Sequence, residues 1–503
     1  MRNARDHDAP ERTETVSDSR EYSPRELVAW REPFLIPLGL LLISRLWLWS
    51  QLHFASEDAY ITYRYARNLA IGLGLVFNPG EKVMGFTSPL WTVWNALGWK
   101  LMRDPANWSR GWSVLADVVT LIVVAALLRR HVSRASAWVF AFLFAAWTLF
   151  AAVTASGMEI SAMLALVALG AMLAGRGSIA TGPVLGALAL MRPEGVFAAA
   201  VIALGAKWRD RLIALAIAAA GFGALYLYFG TIVPQSLTAK AQLYGTPGPW
   251  AGRHWWEWIV PFSLGRWPEV PEARFVYLTT ILGAPAAFVG AMRLWKLRRT
   301  EIATLAGALL IVWAGYAALG VAYFFWYLEI PLACWFLLIA LGFPEIVRHR
   351  AVYVSAALFV LGTWTVIWEL YGGRARLERN FALVADHLLQ HSQAWDKVML
   401  EPIGLVGYYA RVTVLDEVGL VSPRIAKRRM GGPGWASDVI EAEQPQWIVM
   451  RRGELTSLQA FAGRGAPFRS AAERDSVLAP YAEDKVVPGE DEGGALVVMK
   501  RRR

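Results

Sequence analysis

Two adjacent acids, Glu57 and Asp58, open the most polar segment of an otherwise apolar chain. A carboxylate at the mouth of a membrane cavity can take a proton from an attacking hydroxyl, which is the role of a general base. Acids are also common in the first turn of a helix, where the macrodipole stabilises each of them by about 0.3–1 kcal/mol. The pattern leaves catalysis and helix-end stabilisation as alternatives for both residues.

The segment after these acids combines an apolar face with a polar one. Apolar and small side chains recur with helical spacing, and a polar stripe runs beside them. The polar stripe consists of Tyr60, Arg64, Arg67 and Asn68. Because arginine suits the recognition of phosphate, Arg64 and Arg67 are predicted to bind phosphate from a helix that lies along the membrane surface. Tyr60, Asn68 and Asn78, which stands in an Asn-Pro-Gly turn, are predicted substrate contacts.

Three further polar clusters fall at the outer ends of predicted membrane spans. The clusters are Glu159, then Arg192 with Glu194, then Tyr323 with Tyr327 and Glu329. Ionisable groups near a bilayer are costly unless they pair or line a watery cavity, so each is a site candidate. Arg192 is predicted to bind phosphate and the other members to contact substrate. Ion pairing among the charged groups, and an interfacial belt for the aromatic ones, are the structural alternatives.

A second outer segment supplies two weaker phosphate candidates, Lys240 and His254, close to several tryptophans. Aromatic faces beside cations suit both sugar stacking and contact with lipid headgroups. The sequence has no spacing typical of a metal site, so no cofactor is predicted. A divalent cation held by Glu57 and Asp58 stays open as an alternative.

The chain around these residues has the composition of a membrane protein. Of its 503 residues, 56% are hydrophobic, 18% are charged and 25 are tryptophans. A mean hydropathy of +0.37 is too high for an ordinary soluble domain. The net charge of +10 comes from short basic clusters between apolar runs, which argues against a nucleic-acid-binding face. The lone cysteine, Cys334, excludes an internal disulfide framework.

A helix needs about 20 apolar residues to cross a hydrocarbon core about 30 Å thick. By this measure the sequence predicts a polytopic α-helical membrane protein with about ten or eleven transmembrane helices. The predicted spans cover residues 33–52, 111–128, 136–154, 158–175, 179–192, 195–206, 211–229, 275–293, 301–323, 326–346 and 351–371.

The basic clusters occupy every second connection, which the positive-inside rule places in the cytoplasm. Residues 1–32 are then a disordered cytoplasmic tail and residues 33–371 a membrane domain with outer loops 53–110 and 230–274. Residues 372–503 form an extracytoplasmic α/β domain, since strand-like runs alternate there with helix-compatible stretches. The strand-like runs are 397–400, 412–415, 447–450 and 495–499.

The motifs of this chain resemble a known family. The first outer loop contains E-D-A-Y-I-T-Y-R-Y-A-R-N-L-A and G-L-V-F-N-P-G-E-K-V-M-G-F-T-S-P-L-W. It resembles the corresponding loop of GT-C glycosyltransferases, specifically those similar to the mycobacterial terminal arabinofuranosyltransferase. The segments T-A-S-G-M-E, M-R-P-E-G, P-Q-S-L-T-A-K and V-L-D-E-V-G-L also look like family landmarks. The resemblance therefore covers nearly the whole chain after residue 33.

The resemblance implies a membrane glycosyltransferase that uses a polyprenyl-phosphate sugar as donor. Its catalytic carboxylate would be Asp58, with Glu57 beside it in place of the more usual first aspartate. Arg192 and Glu194 match a turn expected to bind donor phosphate and organise the cavity. The implied sugar is arabinofuranose or a related pentose, transferred to a cell-envelope glycan or glycolipid on the outer face of the cell membrane.

Two other classes of protein fit parts of the sequence. A transporter or flippase of lipid-linked sugars would also have many spans and buried ionisable residues, although its polar groups would more often lie near the midplane. A catalytically silent scaffold that binds cell-wall components is the other alternative. The position of the polar clusters on the outer side favours the enzyme.

Overall fold

A computed structural model describes residues 31–244, 271–298, 300–319, 321, 324–456, 458, 465–489 and 491–502. Two predicted site residues, His254 and Tyr323, and most of the predicted tail lie outside this part of the chain. The helices up to the soluble domain are α1 (Arg31–Gln51), α2 (Glu57–Ala70), α3 (Pro89–Met102), α4 (Pro105–His131), α5 (Arg134–Ala146), α6 (Thr148–Ser156), α7 (Ile160–Gly175), α8 (Thr181–Met191), α9 (Gly195–Gly205), α10 (Trp208–Phe229), α11 (Gln235–Tyr244), α12 (Pro271–Lys296), α13 (Glu301–Leu319), α14 (Glu329–Ile346) and α15 (Arg350–His391).

Several of these helices can cross a membrane. Within the described residues, five helical segments are long and apolar enough on their own, namely Phe34–Gln51, Pro105–His131, Trp208–Phe229, Glu301–Leu319 and Phe325–Ile346. Shorter apolar helices, α7, α8 and α9 among them, lie between the long ones. The protein is therefore polytopic and α-helical, as predicted, and the number of ten or eleven spans stays a prediction.

One predicted span is broken. Residues 136–154 were expected to form a single helix, but α5 and α6 meet at a bend of 54° around Trp147. The bend frees backbone carbonyls at the end of α5. The Arg45 guanidinium, from α1, donates to the carbonyls of Phe144 at 2.9 Å and Ala145 at 2.7 Å. A distant cation therefore satisfies the broken helix end.

The soluble domain follows the long helix α15, which runs without a break through the predicted boundary at residue 371. Its elements are β1 (Lys397–Leu400), α16 (Ile403–Ala410), β2 (Thr413–Asp416), α17 (Pro423–Arg429), α18 (Trp435–Glu443), β3 (Trp447–Arg451), α19 (Arg452–Thr456), α20 (Ala471–Leu478), β4 (Tyr481–Val487) and β5 (Leu496–Arg501). The sheet order is β2-β1-β3-β5-β4. Strands β2, β1 and β3 are parallel, and β5 and β4 are antiparallel additions. The predicted α/β domain is confirmed.

The four predicted strands match β1, β2, β3 and β5, whereas β4 was not predicted. Strand β4 carries Glu483, Asp484 and Lys485 and lies at the edge of the sheet. Charged side chains are usual on an edge strand because they discourage pairing with other chains, but they also hide the strand in the sequence.

A continuous hydrophobic core joins the two parts of the molecule. Apolar side chains of the membrane helices and of one sheet face, such as Val398 and Val414, belong to the same buried cluster. The other sheet face packs against its own helices around Trp435 and Ile448. The soluble domain is therefore seated on residues 53–110, the predicted first outer loop, which places α16 directly against α2.

Candidate active site

Asp58, the predicted base, forms an ion pair with Lys240. Asp58 lies in the first turn of α2, and Lys240 lies on α11. Lys240 Nζ is 3.2 Å from Asp58 Oδ2, and the two side chains are 21% and 25% exposed. A carboxylate and an ammonium group that meet while partly open to solvent can both be reached by a substrate. The structure therefore brings together two candidates that lie far apart in the sequence.

The start of α11 is fixed by two other segments. The Gln235 N–H donates to the Met84 carbonyl of the first outer loop at 2.7 Å. The Gln235 side chain donates to the Gly419 carbonyl of the soluble domain at 3.1 Å. Three of the motifs noted in the sequence meet here, and together they set the position of Lys240.

The T-A-S-G-M-E motif, which leads to Glu159, is held against the helix of Asp58. The Ser56 N–H donates to the Ser156 carbonyl at 2.8 Å, and the Tyr63 hydroxyl donates to the Gly157 carbonyl at 3.1 Å. Gly157 has a φ of +74°, and a Cβ there would come within 2.2 Å of the Tyr63 hydroxyl. Only glycine fits this close approach.

Arg192 is the centre of a buried charge network. It pairs with Glu159 through one terminal nitrogen, and its Nε is 2.6 Å from Glu194 Oε1. The Tyr316 hydroxyl donates to the same Glu194 oxygen at 2.6 Å. The ring of Tyr327 lies 5.3 Å from the Arg192 guanidinium carbon. Both ion pairs considered as structural alternatives are therefore present, and Tyr316 is a member that the sequence did not indicate.

Aromatic side chains connect this network to the Asp58 pair. The Phe324 ring centroid lies 5.0 Å from Lys240 Nζ and 6.2 Å from the Tyr327 ring centroid. Tyr327 in turn faces Arg192. Asp58, Lys240 and Arg192 are thus joined by one continuous series of side-chain contacts.

Two solved structures have a fold similar to that of this chain. The described fold is similar to that of ArnT from Cupriavidus metallidurans bound to undecaprenyl phosphate, at 12% identity, with 95% of this chain and 98% of that chain covered and a TM-score of 0.52. It is also similar to the oligosaccharyltransferase AglB from Archaeoglobus fulgidus in complex with an inhibitory peptide and a dolichol-phosphate. That match has 12% identity, covers 85% of this chain and 70% of that chain, and has a TM-score of 0.50. The chain has the GT-C fold.

Other comparisons are less informative. Residues 369–486 match the model of a domain family described as a domain of unknown function, DUF8728. None of the curated proteins matches this sequence. The matched residues cover the end of α15 and most of the soluble domain.

The two arginines of α2, Arg64 and Arg67, contact the soluble domain instead of the Asp58 pair. Arg64 is fully buried, and it donates to the carbonyls of Phe77 at 2.8 Å, Gly407 at 2.7 Å and Val412 at 2.6 Å. Burial lowers the pKa of the Arg64 guanidinium to about 9. Arg67 donates to the Tyr408 carbonyl and faces its ring at 4.9 Å. These contacts favour a structural role over phosphate binding.

The predicted substrate contacts Tyr60, Asn68 and Asn78 also lie at this interface. Asn68 donates to the Phe77 carbonyl at 3.0 Å, which closes the loop after α2. Asn78 donates to the Val414 carbonyl at 2.9 Å and accepts from the Val414 N–H at 3.0 Å. Its amide therefore pairs with edge strand β2 as a neighbouring backbone would. Tyr60 is buried between Tyr63 and the tyrosines of α16.

Glu57 points away from Asp58 toward the soluble domain. Its carboxylate accepts from the backbone N–H groups of Gly404 and Leu405, the latter at 2.8 Å. Burial raises the pKa of the Glu57 carboxyl to about 8, and the two amide hydrogen bonds act in the opposite direction. Glu57 therefore has a different environment from Asp58, although the two are neighbours in the chain.

Glu329 begins α14 and is fully buried beside an ion pair that the sequence analysis did not predict. The Ser161 hydroxyl donates to Glu329 Oε1 at 3.3 Å. In the same region, Arg45 Nε is 2.9 Å from Asp117 Oδ2, and Thr154 donates to that oxygen at 2.6 Å. Both members of the pair stand inside apolar spans, and that is the signal that could have identified them.

In the part of the chain that the structure describes, no three His, Cys, Asp or Glu side chains are grouped so that they could hold a metal ion.

Proposed function

We propose that this protein is a membrane glycosyltransferase that moves a sugar from a polyprenyl-phosphate donor to a cell-envelope glycan on the outer face of the membrane. The observation that carries the proposal is the partly exposed Asp58–Lys240 pair, at 3.2 Å. The GT-C fold supports it, since two solved structures of similar fold hold undecaprenyl phosphate and dolichol-phosphate.

The pair supplies the two charges that the reaction needs. Asp58 takes the proton from the acceptor hydroxyl, whose oxygen forms a bond to the anomeric carbon. The bond between that carbon and the phosphate oxygen breaks, and its electrons leave with the lipid phosphate. Lys240 stabilises the phosphate charge, a preorganised electrostatic contribution that is usually large in such catalysis. The polyprenyl chain stays in the membrane throughout.

Arg192 is less suited than Lys240 to bind the donor phosphate. Its guanidinium already contacts two carboxylates, so phosphate binding by Arg192 requires that Glu159 or Glu194 give way. Lys240 is the better candidate for the first phosphate contact because its ammonium group lies beside the proposed base and is partly exposed, whereas Arg192 is buried. We assign the Arg192 network to the shape and charge of the cavity wall, with Tyr327 presented to the substrate.

We propose arabinofuranose or a related pentose as the sugar, on the basis of the resemblance of the first outer loop. The test is transfer of radiolabelled sugar by the purified protein in lipid nanodiscs, with polyprenyl-phosphate arabinofuranose, other pentoses and hexoses as donors. Turnover with a pentose donor is the expected result. If no donor supports transfer while labelled lipid crosses the bilayer of proteoliposomes, the protein is a flippase and the proposal is wrong.

Replacement of Lys240 by methionine is expected to lower kcat/KM by about 10²- to 10³-fold, because one preorganised positive charge on the leaving phosphate is lost. Lys240→Arg keeps the charge and is expected to retain more activity than the methionine variant. The measurement is initial transfer rate against donor concentration. Equal rates for wild type and Lys240→Met would remove Lys240 from the site.

The orientation is tested by cysteine labelling in whole cells. The single native cysteine, Cys334, is fully buried, so background labelling should be low. Ile71, after α2, is 48% exposed, and Ile179, in the turn between α7 and α8 at the predicted cytoplasmic end of these helices, is 64% exposed. A membrane-impermeant maleimide is expected to label Ile71→Cys and to spare Ile179→Cys. The reverse pattern would place the Asp58 pair in the cytoplasm.

A further inference from the structure

Glu57 makes an unusual contact for an acid in the first turn of a helix. Its carboxylate binds the first N–H groups of α16, a helix of the soluble domain, rather than those of its own helix. The first N–H groups of any helix have no partner within the helix. A carboxylate at that position is favoured by the helix dipole and by charge-assisted hydrogen bonds. Glu57 therefore fastens the soluble domain to the first outer loop.

The backbones at this contact are too close for any other side chain. A Cβ at Gly404 would lie 2.0 Å from the Glu57 carbonyl oxygen. Further along the same pair of helices, the Tyr60 ring centroid lies 5.5 Å from that of Tyr408, and Arg64 donates to the Gly407 carbonyl at 2.7 Å. The docking of α16 on α2 is thus specified by several independent contacts.

Both members of the Asp58–Lys240 pair are linked to the soluble domain that Glu57 contacts. Glu57 precedes Asp58, so the position of the α2 terminus follows that of α16. Lys240 lies on α11, whose first residue, Gln235, is bound to Gly419 of the soluble domain. Each member of the pair therefore stands on a helix that is fastened to the same domain.

We infer that Glu57 is a positioning residue, through which the soluble domain holds Asp58 at its working distance from Lys240. This rests on the proposed transferase function and deepens it. Both Glu57 oxygens are occupied by amides of α16, so Glu57 does not act on the substrate. The soluble domain is in turn part of the catalytic apparatus, and disturbing its docking slows the reaction without changing any group that touches the substrate.

The contact can be perturbed from either side. Glu57→Gln replaces one of the two acceptor oxygens with an NH2 group, which cannot accept from an α16 amide, while Gly404→Ala inserts a methyl group from the α16 side. Glu57→Asp keeps both carboxyl oxygens on a shorter side chain and is the conservative variant. Gly493→Ala is the matched control in the same domain, because a Cβ there meets only ordinary contacts, the nearest at 3.6 Å.

The expected result is that Glu57→Gln and Gly404→Ala each lower kcat by about 100-fold, since misplacement of a reacting group by about 1 Å has that cost. Binding of undecaprenyl phosphate should stay near that of wild type. The thermal unfolding midpoint should fall for Gly404→Ala, because the added Cβ meets the Glu57 carbonyl, so kcat is compared at a temperature at which every variant is folded. Glu57→Asp should recover part of the loss, and Gly493→Ala should behave as wild type.

Two outcomes overturn the inference. If wild type transfers sugar and both variants match it, the contact has no part in catalysis. If Glu57→Gln is inactive while Gly404→Ala is normal, Glu57 acts on the substrate itself. Failure of wild type with every donor is a separate result, because it refutes the proposed function. The docking role of the contact is then tested by limited proteolysis, and loosening of the soluble domain in both variants would support it.

Discussion

Asp58→Asn is expected to lower kcat for sugar transfer by about 10²- to 10⁴-fold, the usual contribution of a general base. Asparagine has nearly the volume of aspartate and keeps an oxygen that can accept from Lys240. It does not take up a proton from the acceptor hydroxyl at neutral pH. The variant therefore separates proton transfer from the shape of the site, and the measurement is transfer rate at saturating donor.

The matched control is Asp104→Asn in the same outer loop. Asp104 caps α4 by accepting from the Asn107 N–H at 3.0 Å, and asparagine is an equally good cap. We expect Asp104→Asn to retain wild-type turnover, and both variants to retain wild-type binding of undecaprenyl phosphate. Comparable turnover in Asp58→Asn and wild type would exclude Asp58 as the base.

The individual members of the site were predictable, but their pairing was not. Asp58 and Lys240 were both candidates from residue type and motif. Their contact depends on α11 starting at Gln235, which is fixed by carbonyl groups of Met84 and Gly419. A backbone carbonyl has the same chemistry in every residue, so the sequence has no local signal for such an anchor. The same holds for the Gly404 and Leu405 amides that bind Glu57.

The helix of residues 57–70 shows how a correct pattern leads to an incomplete interpretation. Its helical spacing was predicted and is confirmed, with bounds Glu57–Ala70. Its polar stripe was expected to face substrate or the membrane surface, yet Arg64 and Asn68 are buried. The soluble domain, more than 300 residues later in the chain, covers this stripe. Amphipathicity identifies a polar face without identifying what covers it.

The break between α5 and α6 has a similar explanation. The sequence around Trp147 has no proline or glycine, so continuous helix was the natural expectation. At the break, Arg45 of α1 donates to two carbonyls, and the neighbouring Ser44 hydroxyl donates to one of them. The cost of an arginine in the apolar span of α1 is thus offset by contacts that only the folded chain provides.

Arg45→Met is expected to destabilise the membrane domain by about 3–5 kcal/mol, the usual cost of removing one partner of a buried ion pair. The variant leaves Asp117 without its guanidinium partner in an apolar span and leaves the Phe144 and Ala145 carbonyls without this donor. The measurement is thermal unfolding in detergent, with the yield of monodisperse protein as a second readout.

A pair with one exposed member, whose buried carboxylate also contacts His131, provides the control for this prediction. Arg130 is 57% exposed and lies 3.6 Å from Glu301, so Arg130→Met is expected to cost no more than about 1 kcal/mol. The double variant Arg45→Met with Asp117→Leu removes both buried charges and should recover part of the loss. Recovery should be incomplete, because the two carbonyls at the α5–α6 break still lack the Arg45 donor. Full recovery would mean that Arg45 serves only to neutralise Asp117, and that the bend is stable without it.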